Sequence, residues 1–349
     1  MTVAARRLPI LALGAVSLVA GLAAGLSRAG IEVPAAQLAL AHGPLMVSAF
    51  FGTVIGLERA VAARRRWAYA APLACGAGGI MLVAGLGIAG AVLVTLGSVL
   101  FLAVMLAIAR SRWDGHLVIL VMGACCWATG NLAWLLWDDV GRVVVAWAAF
   151  LVLTIFGERV ELGRFGPPLA GKHESANLVA ACLVVSGFFG LAASGIAWPV
   201  FGAALLLAAA WLWRYDVARH TIRLTGLTRY IAICLLSGYA WLAVAGVWAM
   251  AGIGDAFAYD AVLHALFVGF VFSMVFGHAP VILPAVLGIK LPFNRLAYGA
   301  LAALHLSLAL RLAGDAMADP DLRAMGTVAN AATLGGWIVL NLVTALRRR

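Results

Sequence analysis

Apolar stretches of about 20 residues recur along the whole chain, and each is long enough for a helix to cross the hydrocarbon core of a bilayer. They lie near 8–27, 35–57, 67–86, 91–109, 115–136, 142–160, 176–194, 197–213, 229–252, 259–287, 296–313 and 323–346. This pattern predicts an all-α integral membrane protein with twelve transmembrane helices, forming one membrane domain over 1–349. A membrane β-barrel is not expected, because its strands would alternate polar and apolar residues. Composition agrees: 65% of residues are hydrophobic and 11% charged, with a mean hydropathy of +1.05, far from a soluble domain.

Charge orients the spans. With a cytoplasmic N-terminus, the inner segments carry Arg6, Arg7, Arg59, Arg64 to Arg66, Arg110, Arg112, Arg159, Arg164 and Lys172. They continue with Arg214, Arg219, Arg223, Arg229, Lys290, Arg295 and Arg347 to Arg349. The outer loops are short and acidic: "WDDVGR", "GIGDAFAYD" and "AGDAMADPD". This follows the positive-inside rule, so both termini are expected in the cytoplasm of a bacterial inner-membrane, multi-pass protein. The net charge of +10 is then a topology signal, and no nucleic-acid partner is needed. The first apolar run is too long for a signal-peptide core and reads as a span. All five cysteines fall inside spans, where small apolar filling is their expected role.

Histidines inside such spans call for an explanation. His42 lies about seven residues into the second span and His264 about five into the tenth, and both spans run inward from the outer side. Their imidazoles therefore share one depth in the outer half. Two neutral imidazoles from different helices are what a bis-histidine b-type haem requires, each with an acceptor for its other N–H. Small neighbours ("AHG" at 41–43, Ala265, Gly269) would leave room for a flat macrocycle. The ordinary alternative is a histidine bonded to a neighbouring helix.

"AHGPLMVSAFFGTVIG" (41–56) resembles the second helix of the heme-copper oxidase main subunit. "HALFVGFVFSMVFGHAPVILPAVLG" (264–288) is similar to its tenth helix, and "HLSLALRLAGDAMADPD" (305–321) to its eleventh helix and following loop. "HALFVG" followed by Met274 looks most like the NnrS family, membrane haem and copper proteins of the nitric oxide response. The resemblance implies a pseudo-threefold bundle with arcs at 1–112, 113–226 and 227–349. It also implies low-spin haem ligation by His42 and His264, with Arg311 near a propionate; a snorkelling arginine is the alternative there. The high-spin ligand position is Val262, however, and the copper histidines of the sixth and seventh helices have no counterpart. Oxygen reduction at the usual haem-copper centre is therefore not expected.

His278 lies 14 residues beyond His264, roughly 21 Å deeper at about 1.5 Å per residue, so one haem cannot use both. "VIGLERAV" (54–61), "TIFGERVEL" (154–162) and "MVFGHAPV" (274–281) each place Glu or His just after a glycine at an inner helix end. In the implied threefold arrangement Glu58, Glu158 and His278 would converge. They would form a catalytic or second metal site for copper, iron or zinc, or a proton or quinone site. Ordinary snorkelling Glu-Arg pairs are the alternative. His305 reads as either a core hydrogen-bonder or a further metal ligand.

The expected function is a b-type haem protein with redox or gas-ligand chemistry. Its implied partners are the lipid bilayer, a quinol or cytochrome electron donor, and a small-molecule or gas ligand such as nitric oxide. A transporter, or a metal-handling or assembly protein on an oxidase-like scaffold, is the alternative. The residues leave open whether the chain turns over a substrate.

Overall fold

A computed structural model describes residues 3–34, 36–111, 113–166, 170–192, 194–289 and 292–346. Arg112, Lys290 and Arg347 to Arg349, counted among the inner basic residues, lie outside the described residues. Helices make up the secondary structure, with no strand among the described residues. In chain order they are α1 (Val3–Arg28), α2 (Gln37–Ala63), α3 (Ala70–Val83), α4 (Gly87–Ala109), α5 (Gly115–Trp137) and α6 (Val140–Leu162). There follow α7 (Lys172–Ala192), α8 (Ser194–Tyr215), α9 (Gly226–Ala251), α10 (Ala256–Leu287), α11 (Leu296–Ala316) and α12 (Pro320–Leu346).

Among the described residues, 11 helices are long and apolar enough to cross a membrane, which makes this a multi-pass membrane protein. The third expected span is shorter than the rest. It is 14 residues of α-helix preceded by a four-residue 3₁₀ turn, Arg66–Tyr69. Together they reach about 29 Å, near the thickness of the hydrocarbon core. Apolar side chains such as Ile88 and Leu306 project outward, 82% and 72% exposed, as a lipid-facing surface requires.

The chain divides into two compact units: Met1–Thr154 with Gly187–Ser194, and Ile155–Ser186 with Gly195–Arg349. In the first unit Trp127 stacks on Phe150 with ring centroids 4.6 Å apart, and Phe101 meets both edge-on. Small residues bring α3 and α4 together: a Cβ on Gly90 would stand 2.6 Å from Leu82 and 3.1 Å from the Gly78 carbonyl. Lipid tails are as apolar as leucine, so close backbone approach and buried hydrogen bonds hold such helices together. Ser48 Oγ supplies one bond, donating to Asn131 Oδ1 at 2.6 Å.

The second unit follows the same rule. A Cβ on Gly326 of α12 would lie 2.5 Å from the Arg311 backbone, so α11 and α12 touch main chain to main chain there. Ser307 Oγ donates to Asn330 Oδ1 across the same pair at 2.7 Å. Helix α10 continues through Pro280 and Pro284 and ends at Gly288, whose φ of 66° is the left-handed conformation that closes a helix. The two prolines deprive the Phe276 and Pro280 carbonyls of their usual i+4 donors.

Candidate functional site

His42 stands just before a change in helix type. A 3₁₀ segment (Ala36–Ala41) gives way to one turn of α-helix (His42–Pro44) and then to seven residues of π-helix, Leu45–Phe51. The imidazole lies against α1. Its Nδ1 is 2.8 Å from the Gly21 carbonyl, and one turn on, a Cβ at Gly25 would meet His42 Cε1 at 2.9 Å. Thus one glycine accepts from the ring and the other makes space for it. With Nδ1 donating to a carbonyl, Nε2 is the unprotonated nitrogen of the neutral ring.

His264 repeats this arrangement in the second unit. It closes an α-helical segment (Ala256–His264) and is followed at once by seven residues of π-helix, Ala265–Val271. Such π-stretches are rare and concentrate at functional sites. His264 Nδ1 lies 2.8 Å from the Asp260 carbonyl and 3.3 Å from the same residue's Oδ1. Asp260 is in turn gripped by Arg311, whose Nε and Nη2 donate to its two oxygens at 2.8 and 2.9 Å. Arg311 Nη1 donates to Thr327 at 2.7 Å. The arginine expected near a haem propionate therefore holds the carboxylate beneath His264. One turn along α11, Asp315 is 4% exposed and faces Asp260, and neither of its carboxyl oxygens has a hydrogen-bond partner.

The space expected beside the histidines is partly taken. Trp241 packs onto Gly269, and Val140 and Trp147 onto Gly43. Trp241 Nε1 donates to His305 Nδ1 at 3.0 Å, so Nε2 carries the ring proton and bonds Ser237 Oγ at 3.0 Å. Both nitrogens of His305 are used within the core. This is the geometry of a core hydrogen-bonder.

Among the described residues, no group of three or more His, Cys, Asp or Glu stands where one metal ion could be held. The three-ligand metal reading of Glu58, Glu158 and His278 thus lacks geometric support. Glu58 belongs to the first unit, Glu158 and His278 to the second. His278 Nδ1 bonds the Met274 carbonyl at 2.8 Å, and the ring lies within electrostatic range of Arg159, Glu158 and Asp216. Asp216 sits in the turn after α8 yet is only 1% exposed. Reading it as a solvated loop charge misses it. Asp260 was more legible, since "DAVLH" puts a carboxylate one helical turn before a histidine. The spacing "GLAAG" (21–25) likewise marks the α1 face that receives His42.

A family model described as a domain of unknown function (DUF8744) matches residues 7–346, and the chain belongs to that family. No curated protein matches the sequence.

Proposed function

We propose that this DUF8744 protein binds a b-type haem through His42 and His264 and serves redox or gas-ligand chemistry in a bacterial inner membrane. The observation that carries the reading is the matched preparation of the two imidazoles. Each directs Nδ1 to a backbone carbonyl, which places the ring proton on Nδ1, and each leads into a seven-residue π-helical stretch. Ligating histidines are held in this way, with the second nitrogen tied to a carbonyl or carboxylate that sets the tautomer and ring angle. The Asp260 carboxylate beside His264 raises the electron density of that imidazole. Arg311 and Thr327 keep Asp260 in place.

The pairing of the two histidines rests on their matched depth in the twelve-span reading and on the resemblance to the heme-copper oxidase and NnrS families. A bound haem would supply a reversible one-electron couple or an iron able to take a diatomic ligand; a quinol or a cytochrome would be the electron donor. The chain's own residues orient the imidazoles. Haem content of the protein purified from haem-replete membranes tests the proposal. About one b-type haem per chain supports it, and haem-free protein from the same membranes removes it.

A further inference from the structure

A second polar cluster lies in the second unit, away from His264. It is built from the inner end of α6, the turn after α8, the middle of α9 and the proline-bearing half of α10. Arg159 Nε and Asp216 Oδ2 are 3.9 Å apart, with side chains 4% and 0% exposed. That is too long for a hydrogen bond, and neither atom has another partner. Asp216 Oδ1 is satisfied, accepting from the Ala218 N–H at 2.6 Å, so only Oδ2 is left over. The Tyr239 hydroxyl, fully buried, turns towards the same carboxylate without closing a bond of full geometry. A donor, an acceptor and a hydroxyl are thus gathered with their bonds unmade, although buried polar groups in folded proteins are almost always paired.

One water molecule would satisfy all three. It would accept from Arg159 Nε–H, donate to Asp216 Oδ2 and exchange a bond with Tyr239, the three polar partners an internal water needs. We propose that Arg159, Asp216 and Tyr239 hold an ordered water and form a buried proton-transfer site serving His278. Asp216 is at the loop end of the path and His278 in the helix opened by Pro280. The groups facing His278 are Glu158 and Arg159 from α6 and Asp216 from the turn after α8. The transfer balances without a co-reactant. A proton arriving on Asp216 Oδ2 passes to the water, and the water passes one of its own to His278 Nε2, with Tyr239 holding the water in place. Each oxygen keeps its complement, and the imidazole gains one positive charge. Arg159 offsets the carboxylate between transfers. The site needs neither haem nor a metal, so it stands or falls separately from the haem reading.

Radiolytic labelling of the purified full-length protein in isotopically labelled water detects bound water beside shielded side chains. Tyr239 should take up label despite its burial, and more than Tyr230, whose equally buried and unbonded hydroxyl faces the Cys234 thiol in place of a carboxylate. In parallel, the exchange of the His278 ring proton is followed by magnetic resonance on histidine-labelled protein, assigned with His278→Gln. Asp216→Asn and the shape-conserving Tyr239→Phe should each slow it roughly tenfold or more. Label uptake at Tyr239 no greater than at Tyr230 would overturn the proposal. So would ring-proton exchange unchanged in Tyr239→Phe, a variant that leaves the ring packing intact.

Discussion

Arg311 and Asp260, on α11 and α10, form a two-bond ion pair at 2.8 and 2.9 Å directly beside His264. Removing one partner of such a pair leaves an uncompensated charge in a place water scarcely reaches. Arg311→Ala should therefore destabilise the protein by about 3–5 kcal/mol, read as a fall in thermal unfolding temperature in detergent. Arg311→Lys should restore charge without the two-bond geometry and recover only part of the loss. If both variants unfold like wild type, Arg311 does not hold Asp260 in solution.

The same helix pair offers a test of main-chain contact. Gly326 meets the Arg311 backbone, and no side chain fits between them. Gly326→Leu should force α11 from α12, strain the Arg311 grip on Asp260 and lower the yield of folded protein. Gly335, where a Cβ would meet nothing, is the control, and Gly335→Ala should be tolerated. Gel-filtration profiles of the two variants make the comparison, and equal profiles would contradict the close packing.

His305 joins two helices by bonds at both ring nitrogens. His305→Ala leaves Trp241 Nε1 and Ser237 without it, at about 1–3 kcal/mol for a buried group left unpaired. The metal content of the purified protein should be the same with and without His305. A drop in bound metal specific to His305→Ala would favour the ligand reading.

Topology rests on α3. If this short helix crosses the membrane, reporters at Arg64 and Gly85 fall on opposite sides, and those at 139, 255 and 318 lie outside while 222 lies inside. Equal sidedness at 64 and 85 would leave eleven crossings and reverse every later span, and the matched depth of His42 and His264 would go with it.

Much of this was legible in the sequence because hydropathy is read over whole helices. The spans and the two histidines stand out against hydrocarbon-like surroundings. What escaped depends on contacts that no local pattern encodes. The π-stretches after His42 and His264 replace what periodicity reads as continuous α-helix. Gly269 looks like room for a ligand, but Trp241 from α9 fills it. Asp216 looks like a solvated turn residue, yet the structure buries it beside Arg159 and Tyr239. The repeated glycine–glutamate ends at Glu58 and Glu158 are a true sequence pattern, and its metal-site reading lacks the geometry.

Haem ligation is tested most directly by the reduced-minus-oxidised absorbance spectrum of the purified protein, taken for wild type, His42→Ala, His264→Ala and, as an exposed control, His220→Ala. Wild type and His220→Ala should show the sharp bands of a low-spin b-type haem, and both of the other variants should lose them. A colourless wild type, or low-spin bands that survive in either His42→Ala or His264→Ala, would contradict the assignment.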